Sequence, residues 1–231
     1  MKEPAHVSRL TIRRREDACP QWERPFLSLH RLRVVNTRAD GTRSAEYDYD
    51  AVLRVQLDAV AVILTSGHPR RPSVLLRACL RPPLLLRAGI EAALPESPPS
   101  GILWELPAGL LELADRGASG ILRRAAAETL EETGYRMPPE AFTLLPGAPF
   151  VTPGSLPERI HFARAHVDDI RLRERPSGDG SPVEEGPLLR WVSLDEALAS
   201  CDAGEIDDMK TELGLRRLAG QARATGLEVS G

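Results

Sequence analysis

Apolar residues recur along the chain in short segments separated by turn-forming residues, a pattern that predicts a series of β-strands. Several segments are rich in β-branched residues, and Asp40-Gly41 between the first two is a strong hairpin signal. We predict strands at residues 26–35, 44–50, 52–65, 73–79, 142–145, 160–167 and 188–192. Residues 1–22 are charged and irregular, and we expect a loose tail there.

A different pattern lies within residues 106–135, where a small-residue turn and a loop precede a predicted helix. Glu128, Glu131 and Glu132 stand at spacings that share one helical face. The opposite face is small or apolar and is expected to pack on a sheet: Leu122, Ala126, Thr129, Leu130 and Thr133. Gly134 is predicted to end the helix, because glycine tolerates a positive φ.

Three carboxylates on one helical face repel one another and raise each other's pKa. A bound cation relieves this repulsion, and carboxylate oxygens suit the hard ions Mg²⁺ and Mn²⁺. The alternative interpretation is an acidic face exposed to solvent.

Residues 84–101 end in a proline- and serine-rich stretch that is predicted to be a loop. Residues 171–186 are charged and rich in Gly, Pro and Ser, and they are predicted to form a long mobile loop. Ser193 or Asp195 is a suitable N-cap for a helix after the last strand.

Length and composition indicate one globular domain with an appendage, since the chain has 231 residues, 42% of them hydrophobic and 27% charged. A net charge of −3 argues against a nucleic-acid binder with a broad basic surface. No apolar segment approaches the roughly 20 residues of a membrane span. Three widely spaced cysteines without a C-x-x-C pair predict reduced thiols in a cytoplasmic protein.

The acidic helix and its flanking glycines resemble the Nudix box, whose usual form ends in R-E-U-x-E-E-x-G-U with U apolar. Gly109 matches the first glycine, and the other matching positions are Glu128, Glu131, Glu132, Gly134 and Tyr135. Ala127 replaces the arginine, and Thr129 replaces an apolar residue.

The loop after Gly109 is also longer than in the Nudix box. The isolated first glutamate therefore has three competing equivalents: Glu112, Asp115 and Ser119. Arg123 or Arg124, each one turn before a motif position, could substitute for the missing arginine.

Further stretches resemble ADP-ribose pyrophosphatases within the Nudix hydrolases. Residues 79–83 are similar to Q-Y-R-P-P, and residues 104–109 to an E-L-P-A-G segment. Similar matches occur at 150–161, 183–186, 191–198 and 204–211. The last two imply two helices, and the second of these, opened by residues 204–211, is expected to have a packing role.

The resemblance implies an α/β (α+β) Nudix fold: a mixed β-sheet sandwiched between helices, with an N-terminal β-hairpin extension. It also implies two regions, a tail and hairpin at 1–50 that could pair two copies in a homodimer, and a hydrolase domain at 51–231. The hairpin could equally pack on its own domain.

Site residues follow from the same resemblance. The metal set is the Ala108 carbonyl with Glu128, Glu131 and Glu132, holding Mg²⁺ or Mn²⁺. The substrate set is Arg81, Glu105, Glu158 and Arg159. The catalytic set is Glu128 together with Glu184 or Glu185, either of which could be the general base. Each of these groups could instead have an ordinary structural or surface role.

The implied activity is metal-dependent hydrolysis of a nucleoside diphosphate sugar, with ADP-ribose giving AMP and ribose 5-phosphate as the leading expectation. Pyrophosphatases for UDP- or GDP-sugars or dinucleotides are alternatives, since the 84–101 insertion could reshape substrate choice. A Nudix-fold binding protein without catalysis and an interaction module without a small-molecule site are further alternatives.

Overall fold

The structure is a computed structural model that describes residues 26–91, 93–94, 100–178, 180–181 and 188–224, together with the backbone of 7–17. The chain forms two compact units. The first comprises residues 1–57 and 150–159, and the second comprises 58–149 and 160–231. The expected partition into 1–50 and 51–231 stays a prediction.

The first unit is built on an antiparallel three-stranded sheet in the order β1-β2-β3. These strands are β1 (Val7–Asp17), β2 (Ser28–Arg38) and β3 (Tyr47–Leu53). The predicted hairpin joins β2 to β3, with Gly41 at a φ of 82° in its turn. Ion pairs of 2.9 Å, Arg31–Asp50 and Arg33–Asp48, link the two strands.

The expectation of a loose tail at 1–22 is wrong for residues 7–17, which form β1. Its register places Thr11 opposite Val35 and Ile12 opposite Val34. This segment contains β-branched residues, which favour a strand, but its many arginines led to the prediction of a charged tail.

A mixed sheet is the framework of the second unit, with the strand order β11-β5-β4-β10-β8. Its strands are β4 (Ala59–His68), β5 (Arg71–Leu80), β6 (Ile102–Glu105), β7 (Ala108–Leu110), β8 (Thr143–Leu144), β10 (Leu156–Val167) and β11 (Leu189–Ser193). Among the described strand pairs of this sheet, only β4–β10 is parallel. β6 pairs with β5 and β7 pairs with β4, both in the antiparallel direction. A short strand, β9 (Phe150–Thr152), pairs with residues 156–159 at the beginning of β10, and this pairing belongs to the first unit.

The predicted strand at 52–65 is split, because β3 ends at Leu53 and β4 begins at Ala59. Val55 lies between the two strands and is 81% exposed. The apolar residues are therefore continuous along the sequence, but the buried strand is not.

Helices cover both faces of the mixed sheet, as predicted. They are α1 (Gly117–Thr133), α2 (Leu194–Asp202) and α3 (Met209–Ala224). Along β10, Ala163 and Ala165 join the core under α1, whereas Phe162 lies on the other face, close to Gly214 of α3. Alternate residues of one strand therefore form two separate cores. None of the described helices is long and apolar enough to cross a bilayer.

Helix ends follow the predicted signals. Gly134 adopts a φ of 79° and ends α1, and the Ser193 hydroxyl accepts the Glu196 N–H at 3.1 Å to cap α2. Part of the 84–101 insertion forms a short 3-10 helix, Pro82–Gly89. Its Leu85 and Leu86 side chains are exposed.

Candidate active site on helix α1 and the turn that faces it

The turn between β6 and β7 is fixed against the sheet on one side and against α1 on the other. The Val62 N–H of β4 donates to the Pro107 carbonyl over 2.8 Å. From α1, the Glu132 Oε2 accepts the Ala108 N–H at 2.9 Å. A carboxylate of the predicted acidic helix therefore binds the backbone of the predicted metal-binding turn.

Glu132 is buried, and its carboxylate is paired with a cation from the sheet. Its Oε1 accepts from Arg77 Nη1 at 2.8 Å, and the two side chains are 4% and 6% exposed. The expectation that all three glutamates lie on a face opposite the packing face is wrong for Glu132, which shares the buried stripe with Thr129 and Thr133. The physical reason is Arg77, whose charge makes burial of this carboxylate tolerable.

Glu128 lies directly over Gly109. A Cβ built on Gly109 would be 1.9 Å from the Cδ of Glu128 and 2.0 Å from its nearer oxygen. Only a glycine at this position leaves room for the carboxyl group. Glu128 and Glu132 thus approach adjacent residues of one turn from successive turns of α1, while Glu131 is half-buried beside them.

Arg124 joins Glu128 to the lengthened loop before α1. Its Nη2 lies 2.7 Å from Glu112, its Nε 2.9 Å from Asp115 and its Nη1 3.6 Å from Glu128. Desolvation opposes ionisation of Asp115, but the Glu112 N–H and the Arg124 guanidinium outweigh it and lower the pKa of this carboxyl. Of the two arginines predicted to substitute for the missing one, Arg124 therefore contacts the site, whereas Arg123 is exposed.

For the hydrolase that the sequence resemblance implies, we expect Arg124→Met to reduce turnover by about 10- to 100-fold, the usual effect of losing a residue that orients a metal-binding carboxylate. Glu112, Asp115 and Glu128 would then lose a shared counter-ion. Steady-state kinetics with a nucleoside diphosphate sugar measures this effect. Arg123→Met, an exposed arginine on the same helix, is the matched control. Equal activity in the two variants would contradict the role of Arg124.

A second ionic cluster surrounds Glu105 at the end of β6. Glu105 is fully buried and accepts two hydrogen bonds of 2.7 Å from Arg81 Nε and Nη2. Lys210 of α3 also donates to Glu105. Burial opposes ionisation of Glu105, but Arg81 and Lys210 outweigh it and lower the pKa of this carboxyl. The structure therefore brings together two predicted substrate residues, Arg81 and Glu105.

Cys79 lies between the two ionic clusters. Its Sγ is 3.4 Å from Arg77 Nη1, and Arg77 is the cross-strand partner of Glu105. Burial, followed by the negative charge of Glu105, raises the pKa of the Cys79 thiol to about 11. Cys79 and Cys201 are free, buried thiols, and Cys19 lies outside the described residues.

At pH 8 we expect the Cys79 thiol to alkylate slowly in the folded protein, because a pKa of about 11 leaves it almost entirely protonated. A short iodoacetamide pulse followed by peptide mass spectrometry measures this directly. The same pulse in denaturant is the control, and there Cys79 should label readily. Rapid labelling of Cys79 in the folded protein would contradict the raised pKa.

The described part of the predicted acidic loop is bound to the C-terminal end of α1. The Glu174 N–H donates to the Gly134 carbonyl at 2.8 Å, and the Gly178 N–H donates to the Glu131 carbonyl at 3.0 Å. A Cβ on Gly134 would lie 2.0 Å from the Glu174 carbonyl oxygen, so glycine is needed here for close approach as well as for its φ. The two candidate bases, Glu184 and Glu185, lie outside the described residues.

The remaining two predicted substrate residues belong to the first compact unit, where each has a local partner. Glu158 forms an ion pair with Arg54, and both side chains are 12% exposed. The Arg159 guanidinium stacks over the Phe150 ring at 4.0 Å. Their assignment to substrate binding stays a prediction.

Oxygen donors at the turn suit a hard divalent ion. In the described part of the chain, no group of three or more acidic, histidine or cysteine side chains is arranged to hold a metal ion. Mg²⁺ does not require one, since it usually keeps several waters and binds one or two carboxylates plus substrate phosphates. Glu128, Glu131 and the backbone at Ala108 are therefore chemically compatible with such an ion, and Arg77 orients the neighbouring Glu132.

Two functional candidates were missed from the sequence, Arg77 and Lys210. Arg77 sits in an apolar strand segment and Lys210 in a helix predicted only to pack. Two signals were available for Lys210: it lies in the matching stretch 204–211, and of the 30 basic residues only Lys2 and Lys210 are lysines. Neither signal applies to Arg77.

No family model matches the chain. It is 36% identical over 112 residues to a GDP-mannose pyrophosphatase of Pectobacterium atrosepticum, a match covering 48% of this chain and 52% of the relative. It is 35% identical over 121 residues to a GDP-mannose pyrophosphatase of Citrobacter koseri, covering 52% of this chain and 56% of the relative. The chain thus spans about half the length of the curated relatives it matches.

The structure is similar to that of an ADP compounds hydrolase, with a TM-score of 0.63 over 97% of this chain and 100% of the other, at 12% identity. A likeness at this identity shows the fold alone. The predicted Nudix fold and the resemblance to Nudix hydrolases are confirmed.

Proposed function

We propose that this chain, which has the Nudix fold, hydrolyses the diphosphate linkage of a nucleoside diphosphate sugar with the help of Mg²⁺ or Mn²⁺. The observation that carries the proposal is the approach of Glu128 and Glu132 to adjacent residues of the Ala108-Gly109 turn. The relatives named GDP-mannose pyrophosphatase, each matched over about half its length, support it.

Each ionic group has a distinct task in this proposal. A bound divalent ion neutralises charge on the diphosphate. Glu128, Glu131 and the Ala108 carbonyl hold that ion. Glu132, the remaining glutamate of the predicted metal set, accepts from Arg77 and from the Ala108 N–H, and its role as a metal ligand stays a prediction. Arg81 binds a phosphate oxygen: its side chain is 45% exposed, and only Nε and Nη2 have partners among the described residues, so Nη1 is available.

Water attacks one phosphorus, the bridging P–O bond breaks, and the products are a nucleoside monophosphate and a sugar phosphate. We propose that Glu184 or Glu185 accepts the proton of the attacking water. The attachment of Glu174 and Gly178 to the end of α1 supports this role, because it ties the preceding part of their loop to the helix that carries Glu128. Hydrolysis by Glu184→Gln and Glu185→Gln variants would distinguish the two.

Two nucleoside diphosphate sugars are the leading candidate substrates. ADP-ribose follows from the sequence motifs, and GDP-mannose is favoured by the two curated relatives. The test incubates the protein with Mg²⁺ and a panel of nucleoside diphosphate sugars and identifies the products. We expect AMP with ribose 5-phosphate, or GMP with mannose 1-phosphate, and no products when EDTA replaces Mg²⁺. Binding without turnover of any panel member would favour a Nudix-fold binding protein instead.

We further propose that the chain forms a homodimer through its N-terminal region. Several large apolar side chains of the first unit are exposed, a common feature of association surfaces: Phe26, Leu27, Leu29, Tyr47 and Tyr49. Light scattering during size-exclusion chromatography should give twice the chain mass, and a monomer mass would contradict this proposal.

A further inference from the structure

The beginning of α3 is attached to the end of β6 by side chains of its first turn. Asp208, just before the helix, accepts the Thr211 N–H at 2.9 Å and the Thr211 hydroxyl at 2.6 Å. The same Thr211 oxygen accepts the Leu106 N–H at 2.9 Å. Further along α3, a Cβ on Gly214 would be 2.7 Å from the Leu106 side chain, so helix and strand end pack closely. The first turn of α3 is therefore rigidly placed beside Glu105.

Lys210 projects from this turn to the buried carboxylate. Its Nζ donates to Glu105 Oε2 and, at 2.9 Å, to Asp208 Oδ2, and its side chain is 15% exposed. Glu105 also accepts from Arg81, from Nε through Oε1 and from Nη2 through Oε2, the oxygen that Lys210 contacts. One fully buried carboxylate thus links a cation fixed by α3 to a cation that is partly open to solvent.

We propose that Lys210 is a positioning residue for Arg81, acting through Glu105, in the recognition of the substrate diphosphate. This rests on the proposed function for the identity of the ligand. A bidentate pair fixes the plane of a guanidinium only if the carboxylate itself cannot rotate. Lys210 prevents that rotation, so Arg81 keeps Nη1 directed away from Glu105 and ready to meet a phosphate oxygen.

A lysine suits this position better than an arginine. An ammonium is a compact charge with three donors, and it reaches Glu105 and Asp208 from one atom beside the planar Arg81 group. A second guanidinium would compete with Arg81 for the same oxygens. The chain otherwise uses arginine for nearly all its basic residues, which makes the lysine at 210 notable.

The test compares Lys210→Met with wild type in two assays, steady-state hydrolysis and calorimetric binding of ADP with Mg²⁺. We expect KM and the ADP dissociation constant to rise about tenfold while kcat changes little, because the loss concerns ligand positioning. Lys210→Arg should recover only part of this loss. Arg216→Met is the matched control, since Arg216 is an ion-paired but exposed cation on the same helix.

A double-variant cycle distinguishes positioning from simple stabilisation. If Lys210 acts through Arg81, Lys210→Met should weaken ADP binding little further in an Arg81→Met background. Additive losses, or a lower thermal midpoint for Lys210→Met with unchanged KM and ADP binding, would overturn the proposal. The binding assay also separates the two proposals. Wild type that binds ADP or GDP without hydrolysing any sugar nucleotide overturns only the proposed function, and wild type that binds neither diphosphate and hydrolyses no sugar nucleotide overturns both.

Discussion

Glu132→Gln should lower the free energy of unfolding by about 3–5 kcal/mol, the usual cost of removing one partner of a buried ion pair. Glu132 and Arg77 are 2.8 Å apart and almost completely buried, so the substitution removes the carboxylate charge that faces a buried guanidinium. The amide also cannot offer two acceptor oxygens to Arg77 and the Ala108 N–H. Chemical denaturation without divalent ions measures the effect.

Glu131→Gln is the matched control, because Glu131 is the preceding residue of α1 and is only half-buried. We expect its stability to stay within about 0.5 kcal/mol of wild type, as for most substitutions away from a buried pair. A Glu132→Gln protein as stable as the Glu131→Gln protein would show that the Arg77–Glu132 pair does not hold α1 to the sheet.

Gly109→Ala should leave the fold intact but reduce kcat by about 100-fold, since displacing a catalytic group by about 1 Å commonly has that effect. A Cβ at this position would be 1.9 Å from the Cδ of Glu128, so the carboxyl group must move. Because the displaced atoms are at the end of a flexible side chain, stability should change by less than about 1 kcal/mol. Steady-state kinetics and thermal unfolding of one preparation measure kcat and the change in stability.

Gly220→Ala is the control for this substitution, because nothing lies within 4 Å of a Cβ at Gly220. It should retain full activity and stability. Full activity of Gly109→Ala would mean that the observed position of Glu128 has no bearing on hydrolysis.

Local patterns predicted most of the secondary structure. The Asp40-Gly41 turn, the Gly134 helix end and the Ser193 N-cap each depend on residues within a few positions of one another. The strand at 73–79 was equally clear, because its apolar run is continuous and appears as β5 (Arg71–Leu80). Such signals need no knowledge of the tertiary fold.

The electrostatics of the site could not be predicted in the same way, because its partners are distant in sequence. Arg77 and Glu132 are 55 residues apart, and Glu105 and Lys210 are 105 apart. Helical spacing placed Glu132 with Glu128 on an acidic face, whereas the cation that permits its burial comes from a strand. The spacing did indicate Arg124 as a neighbour of Glu128, because that contact spans one turn.

The central claim is that Glu128, together with the Ala108-Gly109 turn, binds a divalent ion that in turn binds a diphosphate. Electron paramagnetic resonance of Mn²⁺ titrated with the protein, with and without ADP, tests it most directly. We predict that wild type binds Mn²⁺ and binds it more tightly with ADP, and that Glu128→Gln weakens binding by at least about tenfold. Equal Mn²⁺ binding by wild type and Glu128→Gln, with ADP having no effect on either, would contradict the claim.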